Sequence, residues 1–412
     1  MKNFLADIYS IKKYGIEKWH NEFYWPITID ENRSIARDLD SLLKKNHLNV
    51  SNELSDSLWV LYSRLVVSLS RVISNLIILN KLEDNEYTLS SKEYLRLIKI
   101  HGKPIPKEPL IKDKAKDLMR NIYYNFYKNK SIKSLYKNPI ISTESPNMDM
   151  KEYAINNNAK VFFVSKTFFY TSKKKIPSQL KNEIEIFVDD YFKSVLEKVK
   201  KYTLNQKYID NIKTSLVSEL VQTSENILIY RNRIKSFRKN TKFLVLSVGD
   251  IFIRSVSVAM LREGHDVVAF PHGNNIGMSS DFINPCILTG ISNGLVCPNK
   301  LSQKLYDKGI DSYLRPYGKK VKTEILNVNT YYSKLYDKYK KSKIPHLVKN
   351  IMIIEDPLNP NFQPWPFYLD FNIRKAKLIQ NNNYNLILKR HPDRLNESQN
   401  VYDGYYDQII DE

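Results

Sequence analysis

The sequence predicts an α/β protein in which two parallel-sheet units follow a largely helical N-terminal region. Three observations carry this. First, an apolar run from Phe243 to Val248 stops at Gly249-Asp250, a helical pattern follows until Gly264, and a second apolar run, Val267 to Phe270, stops at Pro271-His272-Gly273. Strand, turn, helix, glycine stop and strand in that order is the signature of a βαβ unit. Second, Ile351 to Ile354 and Asn385 to Leu388 repeat the scheme around a helix ending near Gln380. Third, residues 1 to about 130 carry helical spacing and capping residues. The expected boundaries are 1–130 for the helical region, 131–330 for the first unit and 345–412 for the second, which looks short for a doubly wound domain.

Composition limits the function classes. At 412 residues the chain can bury more than one core, and its 42% hydrophobic content is that of a globular protein. The formal charge of +20 has two readings. One is a polyanionic partner, such as nucleic acid, a nucleotide-sugar phosphate or an anionic membrane face. The other is a compositional bias toward Lys, Asn, Ile and Tyr. The basic residues are dispersed, without a long Lys/Arg tail, which argues against nucleic acid. Cys286 and Cys297 lack metal-ligand spacing and read as buried free thiols of a reducing compartment. The N-terminal segment has no uninterrupted apolar core, so no signal peptide is expected. The longest apolar stretch, Leu58 to Leu79, contains Arg64 and Arg71 and reads as a core or interface helix.

In chain order, Asp30 or Asn32 is placed to cap a helix through Leu43, and Ser55 or Asp56 to cap the long one from Leu58. Trp19, Phe23, Tyr24 and Trp25 cluster beside Pro26 and read as core packing. The stretch from Lys128 to Lys151 reads as a basic connection with one short apolar run, Pro139 to Ile141, ending in Ser-Thr-Glu-Ser. Val161 to Val164 is an expected strand ending at Ser165-Lys166, and helices are expected over Ser178 to Tyr202 and Asp210 to Arg238. Beyond the central βαβ unit come expected strands at Gly294 to Cys297 and Tyr313 to Leu314, joined by a helix from Asn299 to Lys308 with Gly309 as its stop. Tyr331 to Lys343 reads as an exposed linking helix.

In parallel sheets ligands bind outside the carboxyl ends of the strands, so chemistry is sought there. Lys389, Arg390 and His391 stand at the end of an apolar strand, and Pro392 forces an extended backbone at His391. That set of cations suits phosphate. His272 is a candidate acid or base with a pKa near working pH, and Gly273 allows close backbone approach. Asp250 can be a base, a nucleophile or an N-cap. Glu355, after the strand of the second unit, is suited to sugar hydroxyls more than to phosphate. Asn274 follows Gly273 in the same loop and is taken as a further ligand contact. No GxGxxG, P-loop, GxSxG, HExxH or DxD-type carboxylate cluster follows a strand, and Asp189-Asp190 reads as helix surface.

With a Pro-His-Gly loop in the first unit and a Lys-Arg-His-Pro loop in the second, residues 240–395 resemble bacterial surface-polysaccharide glycosyltransferases of the two-Rossmann GT-B type. The likeness is greatest to the retaining β-Kdo transferases of capsule and lipopolysaccharide synthesis. CDP-glycerol polymerases and polysialyltransferases share both kinds of loop. The resemblance implies that His391, with Lys389 and Arg390, holds the donor phosphate, that His272 lies on the acceptor side, and that Asp250 matches the nucleophilic aspartate. It also implies a cytidine-monophosphate-linked donor, a glycan or lipid-linked glycan acceptor, no metal or other cofactor, and a cytoplasmic site at the inner face of the membrane. In that family a nucleotide-gripping segment follows the HP loop, and the sequence ends before it. A polyol-phosphate or sialyl transferase, or a non-enzymatic basic protein holding nucleic acid or anionic lipid, are the competing expectations.

Overall fold

In a computed structural model of the chain, structure is described for residues 2–3, 29–83, 87–88, 105, 115–116, 118–119, 122, 139–144, 146–170, 175–202, 204–246, 249–270, 287–297, 299–310, 321–326, 337, 349–354, 365–390 and 404–410. The strands are β1 (Lys2–Asn3), β2 (Tyr87–Thr88), β3 (Ile140–Ser142), β4 (Val161–Phe163), β5 (Lys242–Val245), β6 (Asp266–Ala269), β7 (Gly294–Cys297), β8 (Lys322–Ile325), β9 (Asn350–Ile354), β10 (Asn385–Lys389) and β11 (Gln408–Ile410). The helices are α1 (Ile29–Asn46), α2 (Asn52–Val60), a π-helical segment (Ser63–Ser68) running into α3 (Leu69–Glu83), α4 (Met148–Asn156), α5 (Ser178–Lys198), α6 (Gln206–Ile234), α7 (Ile251–Arg262), α8 (Lys300–Ile310) and α9 (Trp365–Asn381).

A six-stranded sheet in the order β4-β3-β5-β6-β7-β8 is the frame of the protein, and all five of its pairings are parallel. Parallel strands are covered on both faces and therefore read as continuous apolar runs. Alternation along each strand sorts the side chains. Ile141, Phe243, Val245, Val267, Ala269, Leu295 and Cys297 enter one core, while Ile140, Leu244, Val268 and Val296 enter a second with Met150, Tyr153 and Ala154 of α4. The chain builds β4 outward from β3, then returns to place β5 on β3's other side. The strand order thus reverses between β3 and β5, which makes that gap the topological switch point of the sheet.

The larger core also contains α1–α3, whose Leu39, Leu58, Leu69 and Ile73 are buried with α5, α6 and α7. The N-terminal helices and the first sheet therefore share one interior. Polar ties fix the seam. The Ser57 and Ser224 hydroxyls are 2.7 Å apart, Arg262 Nε donates to both oxygens of buried Asp56 at 2.9 Å, and Arg64 pairs with Glu219. The apolar stretch expected to be one helix is bent by 62° between α2 and the π-helical turn. At that bend Arg254 of α7, 1% exposed, donates across the seam to the carbonyls of Val60 at 2.7 Å and Trp59, and on its own side of the seam to Ile287 O at 2.7 Å. The guanidinium thus donates to two carbonyls of the last turn of α2, where a helix end leaves acceptors and negative partial charge.

A second sheet, ordered β11-β10-β9, is also wholly parallel, with α9 between β9 and β10. Asp407 closes it by accepting the Leu386 N–H at 2.7 Å, and the Arg390 N–H donates to Ile410 O at 2.9 Å.

Several expectations change. The Pro139–Ile141 run belongs to a central strand, β3, and not to a connection. β8 and β11 were not foreseen, because three of the four residues of Lys322–Ile325 are polar and Gln408–Ile410 is three residues long. Ser51 caps α2, accepting the Leu54 N–H at 3.3 Å, while Ser55 and Asp56 lie buried within the helix. Gly309 does not stop α8, which runs through it to Ile310. The apolar run Ile351 to Ile354, whose make-up alone reads as a buried strand, forms β9 but leaves Met352 51% and Ile354 72% exposed. Trp19 through Pro26, Tyr313-Leu314 and all of Tyr331–Lys343 but Asp337 lie outside the described residues. Among those residues no single helix is long and apolar enough to cross a membrane.

Candidate functional site at the carboxyl edge of the first sheet

The carboxyl ends of β4, β3 and β5 lie side by side, and each runs into polar residues. After β3 come buried Thr143 and half-buried Glu144, after β4 come Ser165, Lys166 and Thr167, and after β5 comes Asp250. Glu144 ties two of these tips across the switch point, with Oε2 accepting the Leu246 N–H at 2.8 Å and its own N–H donating to Ser142 Oγ at 3.1 Å. The Ser165 and Thr167 hydroxyls are 2.8 Å apart on the third tip. Thr143 Oγ1 is buried without a hydrogen-bond partner among the described residues.

Asp250 fills both roles that its position allows. Its Oδ1 accepts the Phe252 N–H at 2.9 Å and so caps α7, while Oδ2 pairs with Lys166 Nζ at 3.1 Å. The Lys166 ammonium also lies 5.1 Å from the centre of the Phe252 ring, so three groups from two strand tips hold one another. A carboxylate accepts about four hydrogen bonds, so both oxygens keep lone pairs for a ligand. Beneath them the Tyr170 and Tyr230 rings meet edge to face with centroids 5.4 Å apart. Burial pushes the Tyr170 hydroxyl up to about 12, with the charge of Asp250 adding to the shift. It therefore stays protonated beside the carboxylate at neutral pH. Gly249 is exposed, and a Cβ there would meet nothing within 4 Å, so sterics do not require the glycine that precedes Asp250.

The second pole is the tip of β10, where Lys389 and Arg390 are both half-buried. His391 and Glu355 of the second unit, and His272, Gly273 and Asn274 of the first, lie outside the described residues. Asp189 and Asp190 sit on the exposed face of α5, Asp189 pairing with Lys213. Cys297 is a buried free thiol that burial pushes up to about 12. Among the described residues no group of three His, Cys, Asp or Glu is placed to hold a metal ion.

Sequence reasoning had Asp250 but overlooked its companions. Lys166 and Glu144 each follow a short apolar run by two or three residues, the same signal that marked Asp250. The run before Glu144 is only three residues long as a strand, too short to show a period, and the strand before Lys166 was expected but its tip was given no role. Comparison of the chain with known protein families, curated proteins and solved structures found no match in any of the three.

Proposed function

We propose that the protein is a glycosyltransferase of the two-Rossmann GT-B type, moving a sugar from a cytidine-nucleotide donor to a glycan acceptor. One observation carries the reading. Two parallel sheets present opposite chemistry at their carboxyl ends, carboxylates Glu144 and Asp250 on one, cations Lys389 and Arg390 on the other. Transfer from an activated donor needs both: positive charge where the nucleotide leaves, and a carboxylate where a hydroxyl loses its proton or the anomeric carbon is attacked. Lys389 and Arg390, with His391 behind them, take the donor phosphate and disperse the leaving group's charge. No DxD-type cluster follows a strand in the sequence, so cationic side chains take the place of a metal. Asp250, aligned by Lys166 and the Phe252 N–H, is the nucleophile if configuration is retained and the base if it is inverted. His272 assists the acceptor hydroxyl.

The test is a thermal-shift series of CMP, CDP, UDP and a generic oligonucleotide. The expected result is stabilisation by a cytidine nucleotide, about 2.7 kcal/mol at a hundredfold excess over its Kd, and its loss in the Lys389→Ala/Arg390→Ala variant. Stabilisation by the oligonucleotide alone, or by none of the four, overturns the reading.

A further inference from the structure

Helix α8 turns an unusual face to solvent. Its inner side is accounted for: Tyr306 is buried in the main core and the Gln303 side chain donates to Thr323 O and Oγ1 on β8 at 3.3 and 3.1 Å. The outer side carries Leu301, 68% exposed, and Leu305, 42% exposed, one turn apart. Lys300 and Lys304, also one turn apart and exposed, lie beside them and are in no ion pair among the described residues, while exposed Asp307 on the same helix accepts the Thr323 hydroxyl at 2.8 Å. Ile325 of the adjoining edge strand β8 is 36% exposed, while Lys322 on the same strand is paired with Glu324 at 3.1 Å and adds no net charge there.

Scattered single leucines on a surface are ordinary, but leucines in register with lysines on one helix face are not. That face has the two signals that interfacial binding requires, apolar side chains to enter the headgroup boundary and cations to meet anionic lipid. We infer that the outer face of α8, centred on Leu301 and Leu305 and rimmed by Lys300 and Lys304, docks on an anionic phospholipid bilayer. The net charge of +20 attracts the molecule to such a surface, and α8 orients it there. α8 begins just past the carboxyl end of β7, two strands from β5. The docking face thus starts on the same sheet edge as Asp250, roughly 10 Å away along the sheet at the usual strand spacing. A lipid-linked substrate would be delivered to that edge, but the docking itself does not depend on the transferase reading.

Co-sedimentation of the full chain with vesicles of phosphatidylcholine, alone or mixed with phosphatidylglycerol, tests this. Wild type should pellet with the mixed vesicles only, and less as salt rises. Leu301→Asp/Leu305→Asp and Lys300→Glu/Lys304→Glu should each weaken binding at least about tenfold. These side chains are exposed, so melting temperatures should be unchanged, and Ile155→Asp on the exposed face of α4 should bind as wild type does. Equal binding to both vesicle types, no binding by wild type, or wild-type binding by both α8 variants overturns the proposal. A dimer in light scattering that the leucine variant dissociates, with no vesicle binding, assigns the face to a second copy and overturns it equally.

Discussion

At the scale of single residues, Asp250 and Lys166 are worth separating. Their pair is 3.1 Å long with Lys166 48% exposed, and so exposed a pair contributes at most about 1 kcal/mol to folding. Its value lies in position: Lys166 fixes the carboxylate oxygen that the helix cap leaves over. Asp250→Asn should therefore abolish sugar transfer with little change in melting temperature, because Asn caps a helix about as well as Asp. Lys166→Met should lower kcat about tenfold or more while leaving KM and stability nearly unchanged. Steady-state kinetics beside thermal melts would check both, and wild-type turnover in Asp250→Asn would remove the aspartate from the mechanism. Asp250 was legible because a long apolar run stops at it. Its partner was not, since 84 residues separate the two and only the adjacency of β4, β3 and β5 closes the distance.

At the scale of elements, the bend after α2 shows how packing overrides local pattern. Leu58 to Leu79 has the composition of one straight helix, yet it breaks by 62°, and Arg254 of α7 donates to the Trp59 and Val60 carbonyls at the break. Removing that side chain takes a charged donor away from buried carbonyls. Arg254→Ala should cost about 3 kcal/mol or more. Lys181→Ala, which breaks an exposed pair with Glu185 on α5, should stay within about 0.5 kcal/mol. Chemical denaturation of the two variants measures the contrast. Helices α5, α6 and α7 lay close to their expected spans because each presents many turns of apolar spacing. The short elements β3, β8 and β11 did not, since three or four residues hold no readable period and neighbouring strands define them. Gly309 was misread for a related reason: a glycine that stops an isolated helix costs only about 1 kcal/mol inside a packed one.

At the scale of the whole molecule, pH should act through buried histidines. His47, 3% exposed, and His265, 5% exposed, have pKa values lowered chiefly by burial. A group that binds protons more weakly when folded favours unfolding in acid. Its contribution to stability is full above the unfolded value of about 6.5 and fades as pH falls through the lower folded value. Melting temperature should thus drop as pH falls from about 6.5 through the lower folded value, and a His47→Gln/His265→Gln variant should show a shallower drop. An unchanged slope would assign the acid sensitivity to carboxylates instead.

The sequence alone was enough for the α/β class, the central βαβ unit, the basic tip of the second sheet and Asp250 as a strand-end carboxylate, because each is written in contiguous residues whose period and punctuation are local. The switch point between β3 and β5, the Glu144 and Lys166 contacts around it, the shared interior of α1–α3 with the first sheet and the outward leucines of α8 came from folding. Strand order and burial depend on which distant segments pair, and a chain's local pattern carries no distance between segments a hundred residues apart.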